Sequence, residues 1–273
     1  MNSSKSDSRK IEPSGILVLG GICALALGVR AAFLATWASG PLFGGLIGDE
    51  LHFHRSAMAL LAGQPAQGFL YQPLYTFFLA GAYAVLGPDV AAVRVLQLLL
   101  GTGNCLVFYA LGRAAGGRLA GEHARPIGWM TALVAALYGP QVFFEAQLLA
   151  PVLTVPLIAG ALACLLAGGR SRRSRYLLAC GLLLGLAMMG RPNLGVLLPV
   201  AAVWPVLGPG PIKRRLLAPV LICLGLVLGL APSWIHNLAR GQGLVAVSTS
   251  AGHSFFIGNN PSATGWFHVP AST

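Results

Sequence analysis

Acidic and charged side chains are scarce in this sequence, and their scarcity excludes most classes of soluble protein. Only seven of the 273 residues are Asp or Glu, and 9% are charged, against about 25% in typical soluble domains. The net charge of +11 does not indicate nucleic-acid binding, because the basic residues lie in short loops between apolar runs, where they direct membrane topology. No nucleic-acid partner is therefore expected.

The sequence also lacks the cysteine spacing of a metal site and the short alternating segments of a β-barrel. Its five cysteines lie singly inside apolar runs, which is typical of small packing residues. Apolar runs recur from residue 16 to residue 235, and many approach the ~20 residues that a helix needs to cross a bilayer. The mean hydropathy of +0.74 agrees, and the predicted fold class is all-α, a polytopic transmembrane helical bundle.

About seven spans are predicted, together with one shorter apolar helix near 73–87. At ~1.5 Å per residue the shorter stretch reaches only ~22 Å, less than the ~30 Å hydrocarbon core. It either crosses with strain or lies at the outer interface as a juxtamembrane or re-entrant helix. Arg191, Pro192 and Asn193 break the long apolar stretch 176–208 into a hairpin. The predicted spans are 15–37, 92–112, 127–144, 151–168, 176–190, 193–208 and 216–235.

The distribution of positive charge predicts the orientation, because cytoplasmic loops carry an excess of Lys and Arg. If 73–87 does not cross, thirteen of the 18 Lys and Arg lie in cytoplasmic segments; if it crosses, ten of those thirteen lie outside. The first arrangement is favoured, with 1–273 as one transmembrane domain, a first outer loop at 38–91 and an outer tail at 236–273. The thirteen are Lys5, Arg9, Lys10, Arg113, Arg118, Arg125, Arg170, Arg172, Arg173, Arg175, Lys213, Arg214 and Arg215.

The composition also indicates where such a protein resides. Arg outnumbers Lys fifteen to three, and the chain is rich in Ala, Gly and Leu, a bias typical of GC-rich bacterial genomes. The predicted location is the bacterial cytoplasmic (inner) membrane, with the N-terminus inside. Inner charges are clustered and nearly all basic, whereas outer charges are sparse and of mixed sign, so the chemistry is expected on the outer face.

An adjacent pair of acids, Asp49 and Glu50, follows the first apolar span. Charge retained in so apolar a chain usually has a partner or a function. Neighbouring residues point ~100° apart on a helix and to opposite faces of an extended segment, so one carboxylate can face a cavity while the other orients it. A partly desolvated carboxylate is a good proton acceptor, which makes the pair the candidate catalytic site. The alternative is a solvated helix start, where acids are favoured.

Two histidines beside this pair, His52 and His54, permit a metal hypothesis. On a helix, Glu50 and His54 are separated by four residues and share one face, so they are the weak candidate ligands for a divalent metal, with a third ligand such as His253 from elsewhere. Interfacial or packing histidines are favoured over a metal site. No cofactor is firmly predicted.

Lone arginines at the outer ends of the spans are candidate partners of an anionic head group. Arg94 and Arg191 flank spans, and Arg55 lies in the first loop. A guanidinium binds phosphate through two parallel hydrogen bonds; snorkelling to ordinary lipid phosphates is the alternative. For Arg30, which lies deeper in the first span, snorkelling is favoured.

Three further candidates lie on the outer side. Glu145, in an aromatic-rich loop, is expected to pair with an outer Arg or His, either as a structural salt bridge or as part of a substrate site. The Gly-rich tail offers His253 and Asn259 to hydrogen-bond sugar hydroxyls, although an ordinary outer loop is the favoured interpretation of its turn-rich composition.

Several motifs, taken in order, resemble those of polyprenyl-phosphate-sugar-dependent glycosyltransferases of the C superfold. The nearest branch is the protein O-mannosyltransferase and aminoarabinose-transferase-like group. The resemblance spans roughly residues 15–270. The motifs are GDELHFHRSAMALLAGQP, QPLYTFFLAGAYAVLG, VRVLQLLLG, GPQVFFEAQLLAP, LAMMGRPN and SAGHSFFIGNNPSATGWF.

This resemblance implies an inverting sugar transfer on the outer face from a polyprenyl-phosphate donor to a protein, lipid or glycan acceptor. Asp49 would take the proton from the acceptor, and Glu50 would assist it or help to hold a metal. Arg94 and Arg191 would lie near the lipid phosphate, and Tyr75 would shape the lipid-side groove. A polytopic transporter and a non-catalytic membrane protein that binds lipid-linked sugars are the alternatives.

Two departures from the family pattern stand out. His236 occupies a position where an arginine is expected. Family members usually carry further spans and a soluble outer domain, so the resemblance implies that the chain corresponds to their N-terminal part and is inactive alone if its acceptor site is incomplete.

Overall fold

The structure, a computed structural model, describes most of the chain. It covers residues 13–40, 43–64, 72–171, 174–209, 211–241, 243, 245, 247–248, 250–261 and 263, without the side chains at positions 13, 122, 169–171, 250, 251 and 253. The predicted site residue His253 is one of these, so its side chain lies outside the described part.

Every regular element in the described residues is helical, which confirms the predicted all-α class. Short 3-10 turns occur at Gly121–His123 and Pro192–Val196. The α-helices are α1 (Pro13–Ala38), α2 (Asp49–Leu61), α3 (Pro73–Leu86), α4 (Val90–Leu119), α5 (Ala124–Leu137), α6 (Gly139–Ala146), α7 (Pro151–Ser171), α8 (Ser174–Gly190), α9 (Leu197–Leu207), α10 (Ile212–Ala239) and α11 (Ser250–Gly258).

Fewer helices than predicted are long enough to cross a bilayer. In the described ranges four helices are long and apolar enough, namely α1, α4, α7 and α10, and a fifth span results if α5 and α6, bent by 55°, are one broken span. The predicted number of seven was too high because 176–190 and 193–208 form α8 of 17 residues and α9 of 11, shorter than the ~20 residues of a straight span. The chain is a multi-pass integral membrane protein.

Helices α8 and α10 cross with their backbones in contact because glycine lines both sides of the crossing. A Cβ added at Gly181 would overlap the carbonyl oxygen of Ile222 on α10. Gly185 of α8 and Gly229 of α10 are similarly placed, since a Cβ added at either would lie 2.5 Å from a carbonyl oxygen of the opposite helix. Small residues spaced by four allow this close approach, which stabilises helix pairs within membranes.

Adding one methyl group at this crossing is expected to be costly. Gly181→Ala should lower the free energy of unfolding by roughly 3 kcal/mol, since the backbone of α10 cannot move aside as a side chain can. The matched control is Gly103→Ala on α4, where nothing lies within 4 Å of the added methyl group. Thermal unfolding in detergent measures both variants, and equal midpoints would contradict the close contact between α8 and α10.

The two ends of the bundle differ in chemistry. At one end, the Arg94 guanidinium of α4 lies 4.3 Å from the centre of the Trp37 ring near the end of α1, and Arg240 after α10 donates to the Gln64 carbonyl after α2 at 2.8 Å. At the other end, Arg118 of α4 and Arg214 of α10 donate to carbonyls of α7. The acids of α2 therefore lie at the end opposite to the clustered arginines.

Candidate active site

The buried member of the acidic pair is Glu50, which fastens the start of α2 to the rest of the bundle. Its Oε1 accepts a hydrogen bond from the Leu148 amide at 2.9 Å and lies 3.8 Å from Nη2 of Arg94. A buried carboxylate needs such partners, because an unpaired charge is costly away from water. Glu50 is thus held by a backbone donor and a cation on two other segments of the chain.

Arg94 is buried among the aromatic residues that follow α1 or lie near its end. Its side chain is 1% exposed, its guanidinium lies between the rings of Trp37 and Phe43 at 4.3 and 4.6 Å, and its Nη1 donates to the Phe43 carbonyl. Aromatic faces attract a guanidinium most strongly where water is excluded. These contacts join the end of α1, the segment after it and the start of α4. The predicted contact of Arg94 with a lipid phosphate stays a prediction.

Asp49 is exposed, because neighbouring residues of a helix point ~100° apart and Glu50 takes the buried direction. One turn later, Nε2 of His52 forms a hydrogen bond with Oγ of Ser56 at 3.2 Å. Partial burial lowers the pKa of His52, and the Asp49 carboxylate opposes this by raising it. At the start of α2 the Asp49 carboxylate is therefore exposed, whereas the Glu50 carboxylate is buried. The lowered pKa of the nearby His52 favours its neutral form.

The two weak candidate metal ligands have separate partners. Nδ1 of His54 lies 2.7 Å from the Tyr83 hydroxyl of α3, whereas Glu50 is directed to Leu148 and Arg94. Within the residues that the structure describes, no group of three or more His, Cys, Asp or Glu could hold a metal ion. Glu50 and His54 are thus engaged by different partners, and their role as metal ligands stays a prediction.

Tyr75 lies at the centre of a buried hydrogen-bonded network. It is fully buried, its hydroxyl donates to Oε1 of Gln97, and its ring packs 5.1 Å from that of Phe53 on α2. Nε2 of Gln97 in turn donates to the carbonyls of Glu145 and Gln147 at 2.6 and 2.8 Å. The network joins α2, α3 and α4 to the segment after α6, on the side of α3 that faces α2.

Glu145 forms a salt bridge deep in the bundle with Arg30, the arginine for which snorkelling was expected. Oε2 of Glu145 lies 2.7 Å from Nε of Arg30, and both side chains are 2% exposed. Oε1 accepts from Gln141 at 2.8 Å and from Asn104 at 3.4 Å, and Nη1 of Arg30 donates to the Ala136 carbonyl. Both oxygens of Glu145 are occupied by protein donors, and its contact with substrate stays a prediction.

An apolar groove of about 460 Å³ lies on the other side of α3, between α3, α8 and α10. Leu74 and Phe77 contribute the α3 wall, so Tyr75, between them in sequence, faces away from the groove. His236, where the sequence resemblance led us to expect an arginine, packs its ring 5.5 Å from that of Phe77. The remaining lining residues are Leu186, Met189, Pro232 and Ile235.

Sequence reasoning missed two buried polar residues of α10 that are adjacent in sequence to the groove residues Pro232 and His236. Ser233 and Asn237 are buried, and neither Oγ of Ser233 nor Nδ2 of Asn237 has a hydrogen-bond partner in the described part of the chain. Unsatisfied buried polar atoms are uncommon and call for an explanation. Two polar residues four positions apart in an apolar span were the signal that could have identified them.

The other predicted residues lie at the surface. Arg55 is exposed on α2, and Arg191 is exposed directly after α8. Asn259 is exposed after α11, and its Nδ2 donates to the Phe255 carbonyl of the same helix at 2.9 Å. Their contacts with substrate stay predictions.

The anchoring of α2 can be measured through stability. Glu50→Ala removes the acceptor of the Leu148 amide and the carboxylate beside Arg94, and we expect it to lower the free energy of unfolding by about 2–3 kcal/mol, as for a hydrogen bond to a charged group. Arg55→Gln, an exposed change on the same helix, should stay within about 0.5 kcal/mol. Thermal unfolding and limited proteolysis of the first loop report both, and a Glu50→Ala protein as stable as the control would refute the anchor.

Comparison with protein families gives a match over a large part of the chain. The family model described as dolichyl-phosphate-mannose-protein mannosyltransferase matches residues 67–236, which is more than half of the chain. No curated protein and no solved structure gives a significant match. The matched range contains the groove, Tyr75, Gln97 and Arg94, and begins after the end of α2, which carries Asp49 and Glu50. The chain therefore belongs to the dolichyl-phosphate-mannose-protein mannosyltransferase family, a glycosyltransferase family of the GT-C type.

Proposed function

We propose that this protein transfers a sugar, of the mannose class that the family name indicates, from a polyprenyl-phosphate donor to a hydroxyl or amine acceptor, with Asp49 as the base. The acceptor is a protein, lipid or glycan. Family membership supports lipid-linked sugar transfer in general. The base and the geometry of the reaction are our assignment from the residues of α2 and the groove.

The observation that carries this assignment is that the two acids of the pair have different environments. Glu50 is buried, accepts a hydrogen bond from the Leu148 amide and forms an ion pair with Arg94, whereas Asp49, one position earlier in the same first turn, is exposed. A catalytic base must be accessible to its substrate and held in position by a rigid support. Glu50 supplies that support, so Asp49 is the residue left to act on an acceptor.

The groove between α3, α8 and α10 suits the lipid part of the donor. Its lining is apolar apart from His236. Helix α3 separates the groove from α2, because Leu74 and Phe77 line the groove and Tyr75 packs on α2. A polyprenyl chain lying in the groove would bring its phosphate to the bundle end that carries α2. We assign the phosphate contact to Arg191, which is exposed directly after α8, and a supporting role to Arg94, which holds Glu50.

The proposed reaction is a single displacement at the anomeric carbon. The acceptor oxygen or nitrogen forms a bond to this carbon while the bond from carbon to phosphate oxygen breaks, and the proton of the acceptor passes to the Asp49 carboxylate. Polyprenyl phosphate leaves as a stable anion, so an acid is not required; an arginine stabilises its developing charge. Attack opposite to the leaving group inverts the configuration of the sugar.

The proposed orientation puts this end of the bundle on the outer face of a bacterial inner membrane, with the N-terminus inside. The arginines near the end of α4 and at the start of α10 then face the cytoplasm, as the positive-inside rule requires. The acids of α2 face the compartment in which lipid-linked sugars are consumed in this proposal.

A transfer assay tests the function. Membranes that contain the full chain receive polyprenyl-phosphate mannose labelled in the sugar, and membranes from the same cells without the chain are the control. We expect the label to leave the lipid-extractable fraction and polyprenyl phosphate to accumulate, the latter being a readout independent of acceptor identity. A labelled donor that binds the chain and crosses the membrane without losing its sugar would instead establish a transporter, and binding without either event would establish a non-catalytic binding protein.

A further inference from the structure

A second cavity, of about 240 Å³, lies at the basic end of the bundle, opposite to α2. The end of α4, the ends of α7 and α9, and the starts of α8 and α10 surround it. Its lining combines three arginines, Arg118, Arg214 and Arg215, with the apolar side chains of residues such as Trp204 and Leu177. None of these residues takes part in the proposed sugar transfer.

Each of the three arginines is held by a backbone carbonyl. Arg118 donates from Nε to the Leu166 carbonyl at 3.4 Å and Arg214 from Nη2 to the Gly168 carbonyl at 3.1 Å, both at the end of α7. Arg215 donates from Nε to the Val206 carbonyl of α9 at 2.5 Å. A guanidinium has five N–H donors, so each side chain is oriented by one hydrogen bond and keeps further donors for a ligand.

The three positive charges have no carboxylate partner among the described side chains. The ion pairs of Arg30 with Glu145 and of Arg94 with Glu50 do not involve this cavity. Like charges that line one cavity repel each other unless an anion lies between them. The cavity is therefore suited to an anionic ligand.

The chemistry of the cavity favours phosphate within a lipid. Arginine binds phosphate oxygens through paired hydrogen bonds, and basic pockets between transmembrane helices on the basic side suit lipid head groups. Trp204, which is 46% exposed and stacks with Arg118 at 5.6 Å, has the position of a tryptophan at the boundary between hydrocarbon and head groups. The neighbouring surface is apolar, since Leu207 and Leu216 are exposed, and it suits acyl chains.

We propose that this cavity binds the phosphate head group of an anionic phospholipid from the leaflet at the basic end. The phosphodiester would lie between Arg118, Arg214 and Arg215, with the acyl chains along Trp204 and Leu207. Bound there, the lipid bridges α4, α9 and α10 at the end remote from Asp49. The site is independent of the sugar-transfer reaction.

Lipid binding to the purified full chain in neutral detergent tests the proposal, with native mass spectrometry as the readout. Phosphatidylglycerol should bind at least about tenfold more tightly than phosphatidylcholine. Changing Arg118, Arg214 and Arg215 together to Gln should abolish this preference to within about twofold. Lys213→Gln is the matched control, because Lys213 is adjacent in sequence and basic but does not line the cavity; it should keep the preference.

Four outcomes would overturn the proposal. A wild-type chain without preference for phosphatidylglycerol would show that the cavity does not select anionic lipid, and an equal loss in Lys213→Gln would show general charge attraction only. Displacement of phosphatidylglycerol by excess inorganic phosphate would show a site for a free anion. If the triple variant does not fold, Arg118→Gln alone, an exposed residue, should lower the preference about threefold, and an unchanged preference would count against the site.

Discussion

Asp49→Asn is expected to reduce sugar transfer by about 10²–10⁴-fold, the range for loss of a general base, and to leave donor binding unchanged. Asparagine keeps the size and polarity of the side chain but cannot take a proton from the acceptor. The assay measures release of polyprenyl phosphate from labelled donor, and binding is measured in parallel with a photoreactive donor. Asp49→Glu should retain part of the activity because it keeps a carboxylate.

Asp89→Asn provides the matched control for this experiment. Asp89 is also an exposed carboxylate at the same end of the bundle, and its Oδ1 accepts from the Ala91 and Ala92 amides at 2.8 and 3.3 Å, capping α4. Its replacement should cost at most about 1 kcal/mol of stability with transfer retained. Full transfer by Asp49→Asn, or equal losses in the two variants, would remove Asp49 from the role of base.

Arg30→Met is expected to destabilise the bundle by about 3–5 kcal/mol, because it leaves the Glu145 carboxylate buried without its cation. Both side chains are 2% exposed and 2.7 Å apart, so water cannot replace the missing partner. Unfolding of the purified protein by heat or denaturing detergent measures the loss. The remaining donors to Glu145, from Gln141 and Asn104, do not supply a compensating charge.

The double variant Arg30→Met with Glu145→Leu separates an electrostatic effect from loss of packing. Removing both charges should recover much of the stability that the single change loses, since replacing a buried pair by apolar residues is often neutral. An Arg30→Met protein as stable as the wild type would contradict the buried salt bridge. So would a double variant whose loss of unfolding free energy exceeds the sum of the losses in the two single variants.

The fold class and the break between α8 and α9 could be predicted from the sequence because they depend on local properties. Apolar runs determine the helices of a membrane protein, and Pro192 prevents α8 from continuing; α8 ends at Gly190, and a 3-10 turn begins at Pro192. The number of spans was less predictable, because the 17 residues of α8 and the 11 of α9 depend on the surrounding helices.

The contacts of the candidate site could not be predicted because they join residues far apart in the chain. Arg30 and Glu145 are separated by 115 positions, and Glu50 and Leu148 by 98. No local pattern specifies such partners, and a backbone amide as the partner of Glu50 leaves no trace in the sequence. The close crossing of α8 and α10 could have been predicted, since Gly181 and Gly185 have the spacing of four that is typical of close helix pairs.

The side of the membrane on which position 49 lies is the most direct test of the account. Asp49→Cys, in a chain whose five native cysteines are replaced, is treated with a membrane-impermeant maleimide in right-side-out vesicles. Leu119→Cys is the control, because Leu119 is the last residue of α4, at the basic end of the bundle, and is 86% exposed. We predict labelling at position 49 in intact vesicles and at position 119 only after permeabilisation; labelling at position 49 only after permeabilisation would contradict the proposed site.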